Sequence, residues 1–419
     1  MTTSVPATAA GPKKGKKVHQ IGSKTTTFGV AAIVILALSG CAPGSNTAGA
    51  AQPDSGTPTA NSWFDQTQFD LENAERTATF TGDPSTPYLQ YIEGEMVDPA
   101  PFKADGPKKV CFSNAALSNT WRQTGWITMN QQLKVLQGQG IISGMETRNA
   151  QDSDDTQVAD IDYFIKENNC DAFIIAPNSP QATAPAVQRA CDTGKPVIIF
   201  DRGAGTDCET VFVHSVGGMA WGIDSATFVA DNVAKGGRVI ALRTAPGVDV
   251  FEQRWAAAQH IFDKAGLKVT DYITGADPTK IKSTITDEIA KGDIDAVWVD
   301  LADQAVPAVE SFEDAGKDIP IVTGEDSLAY LRAWQDKGFK GFASVYSAFQ
   351  WRTALLATAM LFEGKPIPKD WVLPQVPVTK DDLDAVVAAN KGMPDGHYSS
   401  FGGENLPGFP TVWQNRTMP

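Results

Sequence analysis

A chain of 419 residues is too long for one ordinary hydrophobic core, which predicts two lobes or domains plus appendages. Its hydrophobic share of 42% and charged share of 20% are typical of a globular protein. The formal net charge is −14; once the five lysines of the acid-free first 40 residues are subtracted from the 35 basic residues, 30 remain against 49 acidic ones, a net charge of −19. Such an acidic body argues against nucleic acid as a partner.

The N-terminal residues are typical of an export signal. Lysines precede an apolar run at residues 28–38, which is too short to span a bilayer, and Leu38-Ser39-Gly40-Cys41 follows. This ending resembles the lipobox of bacterial lipoproteins, in which the cysteine thiol is diacylated and becomes the new N-terminus, and Cys41 matches that cysteine. The alternative is a short uncleaved anchor. Both interpretations place the body outside the cytoplasm, with a signal peptide at 1–40 and a tether with an N-terminal extension at 41–107.

Regular alternation of strands and helices begins at residue 110. Short apolar runs predict five strands, at 110–113, 141–145, 172–175, 197–200 and 211–213. Polar residues follow two of them: Asn178 and Ser179 after the third strand, Asp201 and Arg202 after the fourth. Because ligands of open parallel sheets bind outside the carboxyl ends of the strands, these four residues are site candidates. The alternatives are a helix cap at Asn178 and Ser179 and a structural ion pair between Asp201 and Arg202.

A second series of elements repeats this design. Strands are predicted at 239–242, 269–273, 296–299, 319–322 and 342–345, with helices between them and one long helix after them. Two such series predict an α/β fold with two doubly wound parallel-sheet lobes. We expect the first lobe to hold residues 108–215 with 347–371, and the second to hold 216–346 with 372–419, which include a Gly/Pro-rich tail.

Four cysteines remain in the body of the chain. An exported protein meets an oxidising compartment, so pairing is expected. Cys191 and Cys208 flank the strand at 197–200, whereas Cys111 and Cys170 each begin one of two strands that should be sheet neighbours. We therefore predict the disulfides Cys191–Cys208 and Cys111–Cys170. Metal binding is the weaker alternative, because no C-x-x-C occurs and the histidines of the body are scattered.

Catalytic motifs are missing from the sequence. It contains no Walker loop, no G-x-G-x-x-G after the first strand, no G-x-S-x-G and no H-E-x-x-H. We therefore expect a protein that is not an enzyme and that needs neither a cofactor nor a metal.

Several local motifs resemble the sugar-binding branch of the periplasmic binding proteins, the ribose- and galactose-binding type that feeds ATP-driven importers. The resemblance covers residues 108–377. It rests on the order of six short segments, Leu117-Ser118-Asn119-Thr120-Trp121-Arg122, Pro177-Asn178-Ser179, Phe200-Asp201-Arg202, Glu252-Gln253-Arg254, Gly324-Glu325-Asp326 and Ser347 at the expected hinge crossing.

The resemblance implies a type I periplasmic binding protein fold, with two lobes joined by a hinge of several chain crossings. It also implies a monomeric, lipid-anchored receptor that delivers a sugar or polyol to the permease of an ABC transporter. Sugars require carboxylate and amide acceptors, arginine donors and an aromatic plate. The ligand-binding residues implied are Asn119, Trp121, Arg122, Asn178, Ser179, Asp201, Arg202, Arg254, Asp300, Asp326 and Ser347.

The sequence also departs from this family. Arg122 and Pro278 stand where aromatic residues are usual, and Leu301 replaces a ligand-binding Asn, with Asp300 beside it. Since the carboxylates expected in the cleft nearly balance its arginines, we expect a neutral ligand rather than an acidic sugar. Two other functions remain open: an extracytoplasmic sensor for a signalling partner, and an exported hydrolase that uses Asp201, Glu325 or Asp326. The missing nucleophile motif argues against the hydrolase.

Overall fold

The computed structural model describes residues 62–409 and residue 411, so the predicted export signal and Cys41 lie outside the described residues. The elements up to the first crossing between the lobes are α1 (Gln66–Glu75), β1 (Met96–Val97), β2 (Lys108–Asn114), α2 (Thr120–Gly138), β3 (Ile142–Asn149), α3 (Asp154–Glu167), β4 (Ala172–Ala176), α4 (Pro180–Cys191), β5 (Val197–Phe200) and β6 (Val211–Ser215).

The elements after that crossing follow the same alternation. They are α5 (Gly218–Asn232), β7 (Arg238–Arg243), α6 (Asp249–Ala265), β8 (Lys268–Ile273), α7 (Pro278–Lys291), β9 (Ala296–Val299), α8 (Ala305–Asp314), β10 (Ile321–Glu325), α9 (Leu328–Lys337), β11 (Gly341–Ser344), α10 (Gln350–Phe362), β12 (Ile367–Pro368), β13 (Asp370–Leu373) and α11 (Lys380–Ala389).

Two parallel sheets form the two lobes, which confirms the predicted α/β fold. Within residues 62–409, the first sheet has the strand order β13, β6, β5, β4, β2, β3, and the second has the order β11, β10, β9, β7, β8. The five strands predicted for the first series are present as β2 to β6, and the first sheet has a sixth strand, β13, from a later segment. Strand β13 pairs in parallel with β6 at the edge of the first sheet, although it follows the last long helix of that lobe in the chain.

The centre of the first sheet is buried on both faces. Alternate side chains of β4 enter different cores: Ile174 packs with α2 and α10, whereas Phe173 and Ile175 pack with α3 and α4. Every residue of β4 and β5 is buried, which is why both strands are continuous apolar runs in the sequence. Polar residues therefore appear only where these strands end, at the edge that faces the second lobe.

Within residues 62–409, three chain crossings connect the lobes, after β6, β11 and β13. Ser347 lies in the second crossing and joins the other two, because its backbone N–H donates to Ser215 Oγ at 3.2 Å and its hydroxyl donates to the Pro374 carbonyl at 3.0 Å. Buried hydrogen bonds between the three crossings therefore hold the hinge together.

The N-terminal extension contacts both lobes. In α1, Glu72 accepts a hydrogen bond from the backbone N–H of Ala220 in α5 at 2.8 Å, and Arg76 pairs with Asp224 of the same helix at 2.7 Å. Further along, β1 pairs with β12, and the Trp371 indole of β13 donates to the Gln90 carbonyl at 2.9 Å. The extension is thus a packed part of the molecule and a further link between the lobes.

The first lobe contains both predicted disulfides. Cys111 of β2 pairs with Cys170, just before β4, with the Cα atoms 5.6 Å apart. Cys191 at the end of α4 pairs with Cys208 in the loop after β5, with the Cα atoms 6.0 Å apart. Asp201 lies within the segment that the second disulfide closes. In residues 62–409, no helix is long and apolar enough to cross a membrane.

Candidate ligand-binding site

A cavity of about 460 Å³, called here the interlobe cavity, lies between the lobes at the carboxyl ends of their strands. Eight of the predicted site residues line it: Asn119, Trp121, Arg122, Asn178, Ser179, Asp201, Arg202 and Arg254. The other lining residues are Ser118, Asp152, Ala245, Gly247, Val248, Asp249, Val250, Phe251, Leu301, Glu325 and Tyr346.

The first lobe contributes a buried ion pair. Asn119 caps α2, since its side-chain oxygen accepts a hydrogen bond from the backbone N–H of Arg122 at 2.9 Å. Arg122 Nη2 then donates to Asp201 Oδ2 at 3.0 Å, and both side chains are 4% exposed. Asp201 therefore pairs with a residue of α2, not with the adjacent Arg202 that the sequence analysis considered.

The backbone of Asp201 is held in an unusual conformation. Its φ of 73° is left-handed, a state that costs a non-glycine residue on the order of 1 kcal/mol. The Tyr346 hydroxyl, from the second hinge crossing, donates to the Asp201 carbonyl at 3.2 Å. The surrounding hydrogen bonds thus fix the direction in which this carboxylate points.

The second lobe contributes a matching pair. Arg254 of α6 lies 2.8 Å from Glu325, the last residue of β10, and both side chains are almost fully buried. Arg254 Nη1 also donates to the Asp300 carbonyl at 2.6 Å, and its guanidinium carbon lies 4.4 Å from the centroid of the Trp221 ring. Stacking and ion pairing together fix the plane of the guanidinium.

Three aromatic rings of the described residues contribute to the apolar part of the cavity. The Trp121 indole donates to the Tyr346 carbonyl at 2.6 Å, and the two ring centroids are 5.6 Å apart. Phe251 lines the cavity from α6 of the second lobe. The aromatic surface is therefore larger than the departures in the sequence suggested, because rings outside the family motifs replace the missing ones.

Asn178 and Ser179 are ordered by a carboxylate of the first lobe. The Asn178 amide and the Ser179 hydroxyl each donate to Asp154, at the start of α3, at 2.9 Å. Ser179 occupies the N-cap position of α4 but makes no capping bond with its side chain. Arg202 donates to the Asn178 carbonyl. These bonds hold the three residues beside the cavity.

Three arginines around the cavity each have a nitrogen atom that donates no hydrogen bond. In the described part of the chain, Arg122 Nη1, Arg202 Nε and Arg254 Nε are buried without a hydrogen-bond partner. An unpaired buried donor costs about 1–3 kcal/mol, so an oxygen-rich ligand that accepts from these groups would gain affinity.

Asp326 does not line the interlobe cavity. Its carboxylate accepts hydrogen bonds from the backbone N–H of Ser400 at 2.7 Å and from the Ser399 hydroxyl at 2.9 Å, so it holds the C-terminal tail. Burial raises the pKa of Asp326 to about 6. The sequence analysis assigned ligand binding to Asp326, but the neighbouring Glu325 is the carboxylate at the cavity.

Asp300 and Ser347 also lie outside the lining. The Asp300 carboxylate accepts from the Thr244 backbone N–H at 2.9 Å and from the Thr244 hydroxyl at 2.6 Å. It thereby shapes the loop after β7, several residues of which line the cavity. Burial raises the pKa of Asp300 to about 6. Ser347 makes the hinge bonds described above.

Glu325, Tyr346 and Phe251 are among the eleven lining residues that the sequence analysis did not assign to ligand binding. Glu325 and Tyr346 each follow the apolar run of a predicted strand, as Asp201 does, and this position was the signal that could have identified them. Phe251 lies in the first turn of α6, one turn before Arg254, but nothing in its local sequence indicates exposure to a cavity. Within residues 62–409, no group of three or more His, Cys, Asp or Glu side chains could hold a metal ion.

Comparison with known proteins agrees with this architecture. A family described as "Periplasmic binding protein domain" matches residues 110–366. The chain is 27% identical over 222 residues to the ribose import binding protein RbsB of Bacillus subtilis (strain 168), a match that covers 52% of this chain and 72% of that protein.

Two solved structures share the fold. A solute-binding protein of an ABC transporter from Thermobispora bispora is 24% identical, with a TM-score of 0.62, and the match covers 74% of this chain and 98% of that one. A solute-binding protein from Bacillus halodurans with bound myo-inositol is 22% identical, with a TM-score of 0.58, and the match covers 68% of this chain and 98% of that one. Since the family match spans more than half of the chain, this protein belongs to the periplasmic binding protein family, whose members are binding proteins and not enzymes.

Proposed function

We propose that this protein is an extracytoplasmic, lipid-anchored receptor that binds a neutral polyhydroxylated ligand, a sugar or polyol, and delivers it to an ABC importer. The observation that carries this proposal is the pairing of Arg122 with Asp201 and of Arg254 with Glu325, one pair from each lobe, at one cavity. A hydroxyl group can donate a hydrogen bond to a carboxylate and accept one from a guanidinium group. A ligand bound between the two pairs would therefore form hydrogen bonds with both the arginine and the acid of each pair.

The aromatic rings fit the other surface of such a ligand. A sugar ring has an apolar C–H face, and Trp121, Tyr346 and Phe251 offer apolar surface beside the ion pairs. Because the lining comes from both lobes and from the hinge, closure of the lobes would exclude water and strengthen the polar contacts.

The charge of the cavity favours a neutral ligand. Three arginines line it, and they face four carboxylates, those of Asp152, Asp201, Asp249 and Glu325. An acidic ligand would add a negative charge where the arginines are already balanced. The similar proteins point the same way: one is a ribose import protein and another holds myo-inositol, and both compounds are neutral and polyhydroxylated.

The anchor and the importer are supported by the sequence. The apolar run at 28–38 and Leu38-Ser39-Gly40-Cys41 predict export followed by acylation of Cys41. Deletion of the gene should abolish uptake of the ligand, and Cys41→Ala should release the protein from the membrane. A deletion that leaves uptake intact but removes a transcriptional response to the ligand would instead favour the sensor function.

The ligand class is tested by thermal unfolding of the purified protein with D-ribose, D-allose, myo-inositol and the sugar acids D-glucuronate and D-galacturonate. A ligand at 100 times its dissociation constant stabilises a protein by about 2.7 kcal/mol. We expect stabilisation by at least one neutral compound, and a smaller stabilisation by the same compound in Glu325→Gln. Stabilisation by the acids alone would contradict the proposed class.

A further inference from the structure

A second cavity adjoins the interlobe cavity on its hinge side. This rear chamber has a volume of about 190 Å³ and shares five lining residues with the interlobe cavity: Asp201, Arg202, Asp249, Val250 and Tyr346. Its own walls come from three parts of the chain, the first lobe, the second lobe and α1 of the N-terminal extension. The extension therefore contributes directly to the space between the lobes.

Contacts with the second lobe fix the position of α1. The Glu72 carboxylate accepts from the backbone N–H of Ala220, near the start of α5, at 2.8 Å. The N-cap residue of α5 is Gly217, which has no side chain to cap the helix, so Glu72 supplies the cap from another helix. Phe64, just before α1, stacks on His260 of α6 with the ring centroids 4.2 Å apart.

Glycine at position 217 makes this arrangement possible. A Cβ atom there would lie 2.2 Å from Glu72 Oε2, and the residue has a φ of 152°. Any other residue would displace the Glu72 carboxylate from the start of α5. Glycine at this hinge position thus lets α1 supply the helix cap.

The lining of the rear chamber includes amides and carboxylates that can bind hydroxyl groups. Gln68 of α1 and Gln253 of α6 supply amides, while Asp249 and Glu72 supply carboxylates. Amides both donate to and accept from hydroxyl groups, which suits a polyhydroxylated unit. Gln68 is itself oriented by a hydrogen bond from its amide to Glu72 at 2.8 Å.

We propose that the rear chamber is a second subsite, so that the ligand has two polar units: one ring in the interlobe cavity and a second sugar or polyol unit against α1. This inference rests on the proposed function and specifies its substrate class. The interlobe cavity and the rear chamber share Asp201 and Asp249, so carboxylates stand where the two units of the ligand would be joined. Compounds of this class include disaccharides and glycosides of cyclic polyols.

The test uses matched probes that differ only by the second unit. Titration calorimetry compares D-glucose with trehalose, D-galactose with melibiose, and myo-inositol with galactinol. In at least one pair, the two-unit compound should bind at least about 10-fold more tightly than its one-unit partner, a difference of about 1.4 kcal/mol. Tighter binding of the one-unit compound in every pair that binds would overturn the inference and leave the proposed function standing. If no probe binds although a neutral compound of the thermal-unfolding panel stabilises the protein, the inference alone fails. If no compound of either panel binds, both fail.

Variants of α1 locate the second unit. Gln68 lines the rear chamber but not the interlobe cavity, so the bulk added by Gln68→Trp should weaken the two-unit compound about 10-fold while leaving the one-unit compound within about 2-fold. The exposed Gln66, two residues earlier on the same helix, gives the matched control Gln66→Trp, which should change neither affinity. Gln68→Ala, which adds no bulk, should weaken only the two-unit compound, by a smaller factor. Equal affinities in all three variants would overturn the assignment of the subsite to α1.

Discussion

Glu325 and Asp326 are adjacent in the chain, but their carboxylates face different parts of the molecule. Glu325 lies 2.8 Å from Arg254 at the interlobe cavity, whereas Asp326 accepts a hydrogen bond from the backbone N–H of Ser400 at 2.7 Å in the C-terminal tail. Successive side chains at the end of a strand point in opposite directions, which separates the two roles. Both carboxylates contact the tail, since Glu325 also accepts from the Tyr398 hydroxyl at 3.2 Å, but only Glu325 lines the interlobe cavity.

Substitution of these two residues should therefore give opposite results. Glu325→Gln should weaken ligand binding about 10-fold or more, because a hydrogen bond to a charged group contributes about 1.5–3 kcal/mol. Asp326→Asn, the matched control, should leave affinity within about 2-fold. Calorimetry with the best neutral ligand measures both. Loss of binding in Asp326→Asn with an intact fold, beside normal binding in Glu325→Gln, would return the ligand-binding role to Asp326.

The buried carboxyl of Asp326 should make stability depend on pH. Its pKa is raised to about 6 in the folded protein, so the unfolded chain releases the proton at lower pH. Its contribution to stability is fully present below about pH 4 and is lost as the pH rises through about 6. The free energy of unfolding of Asp326→Asn, relative to that of wild type, should increase by on the order of 2 kcal/mol when the pH is raised from 4.5 to 7.5. Urea unfolding at the two pH values measures this gain, and a loss would contradict it.

Removal of the Cys191–Cys208 disulfide should destabilise the protein. The two cysteines are separated by 17 positions in sequence, and the chain-entropy relation gives about 3 kcal/mol for the double substitution to Ala. Because Asp201 lies within the segment that this disulfide closes, ligand affinity should fall as well. Unfolding in urea and calorimetry measure the two effects. Peptide mapping without reductant that found both thiols free would contradict the pairing.

The cap that Glu72 provides for α5 should contribute measurably to stability. Glu72→Ala leaves the first turn of α5 without its side-chain acceptor, and loss of a helix cap typically costs about 0.5–2 kcal/mol. Asp70→Ala, on the exposed side of α1, is the control and should have a much smaller effect. Thermal unfolding of the wild type and of both variants measures the two changes in stability. Equal stability of both variants would show that α1 does not support the start of α5.

The balance of charges in the interlobe cavity predicts how Arg122 affects binding. Arg122→Gln leaves the buried carboxylate of Asp201 without its ion-pair partner, so neutral ligands should bind at least about 10-fold more weakly. Sugar acids should bind poorly to both proteins. Tight binding of the acids by wild type, lost in this variant, would make Arg122 an anion receptor and reverse the predicted ligand charge.

The sequence by itself determined the fold and much of the interlobe cavity. Short apolar runs without charge, such as β4 and β5, are typical of parallel strands covered on both faces, and the polar residues after such strands meet at one edge of the sheet. For that reason Asn178, Ser179, Asp201 and Arg202 all line the cavity. Cysteines that flank neighbouring strands were likewise close enough to pair.

Only the tertiary structure decided which groups face one another. The direction of Glu325 relative to Asp326 depends on the register of β10, and the partner of Asp201 is a residue 79 positions away in sequence. Phe251 reaches the cavity because α6 packs against α5, and Glu72 caps a helix 148 residues further along the chain. Periodicity in a sequence reports burial of each segment on its own, whereas these contacts arise from the packing of distant segments, which no local pattern encodes.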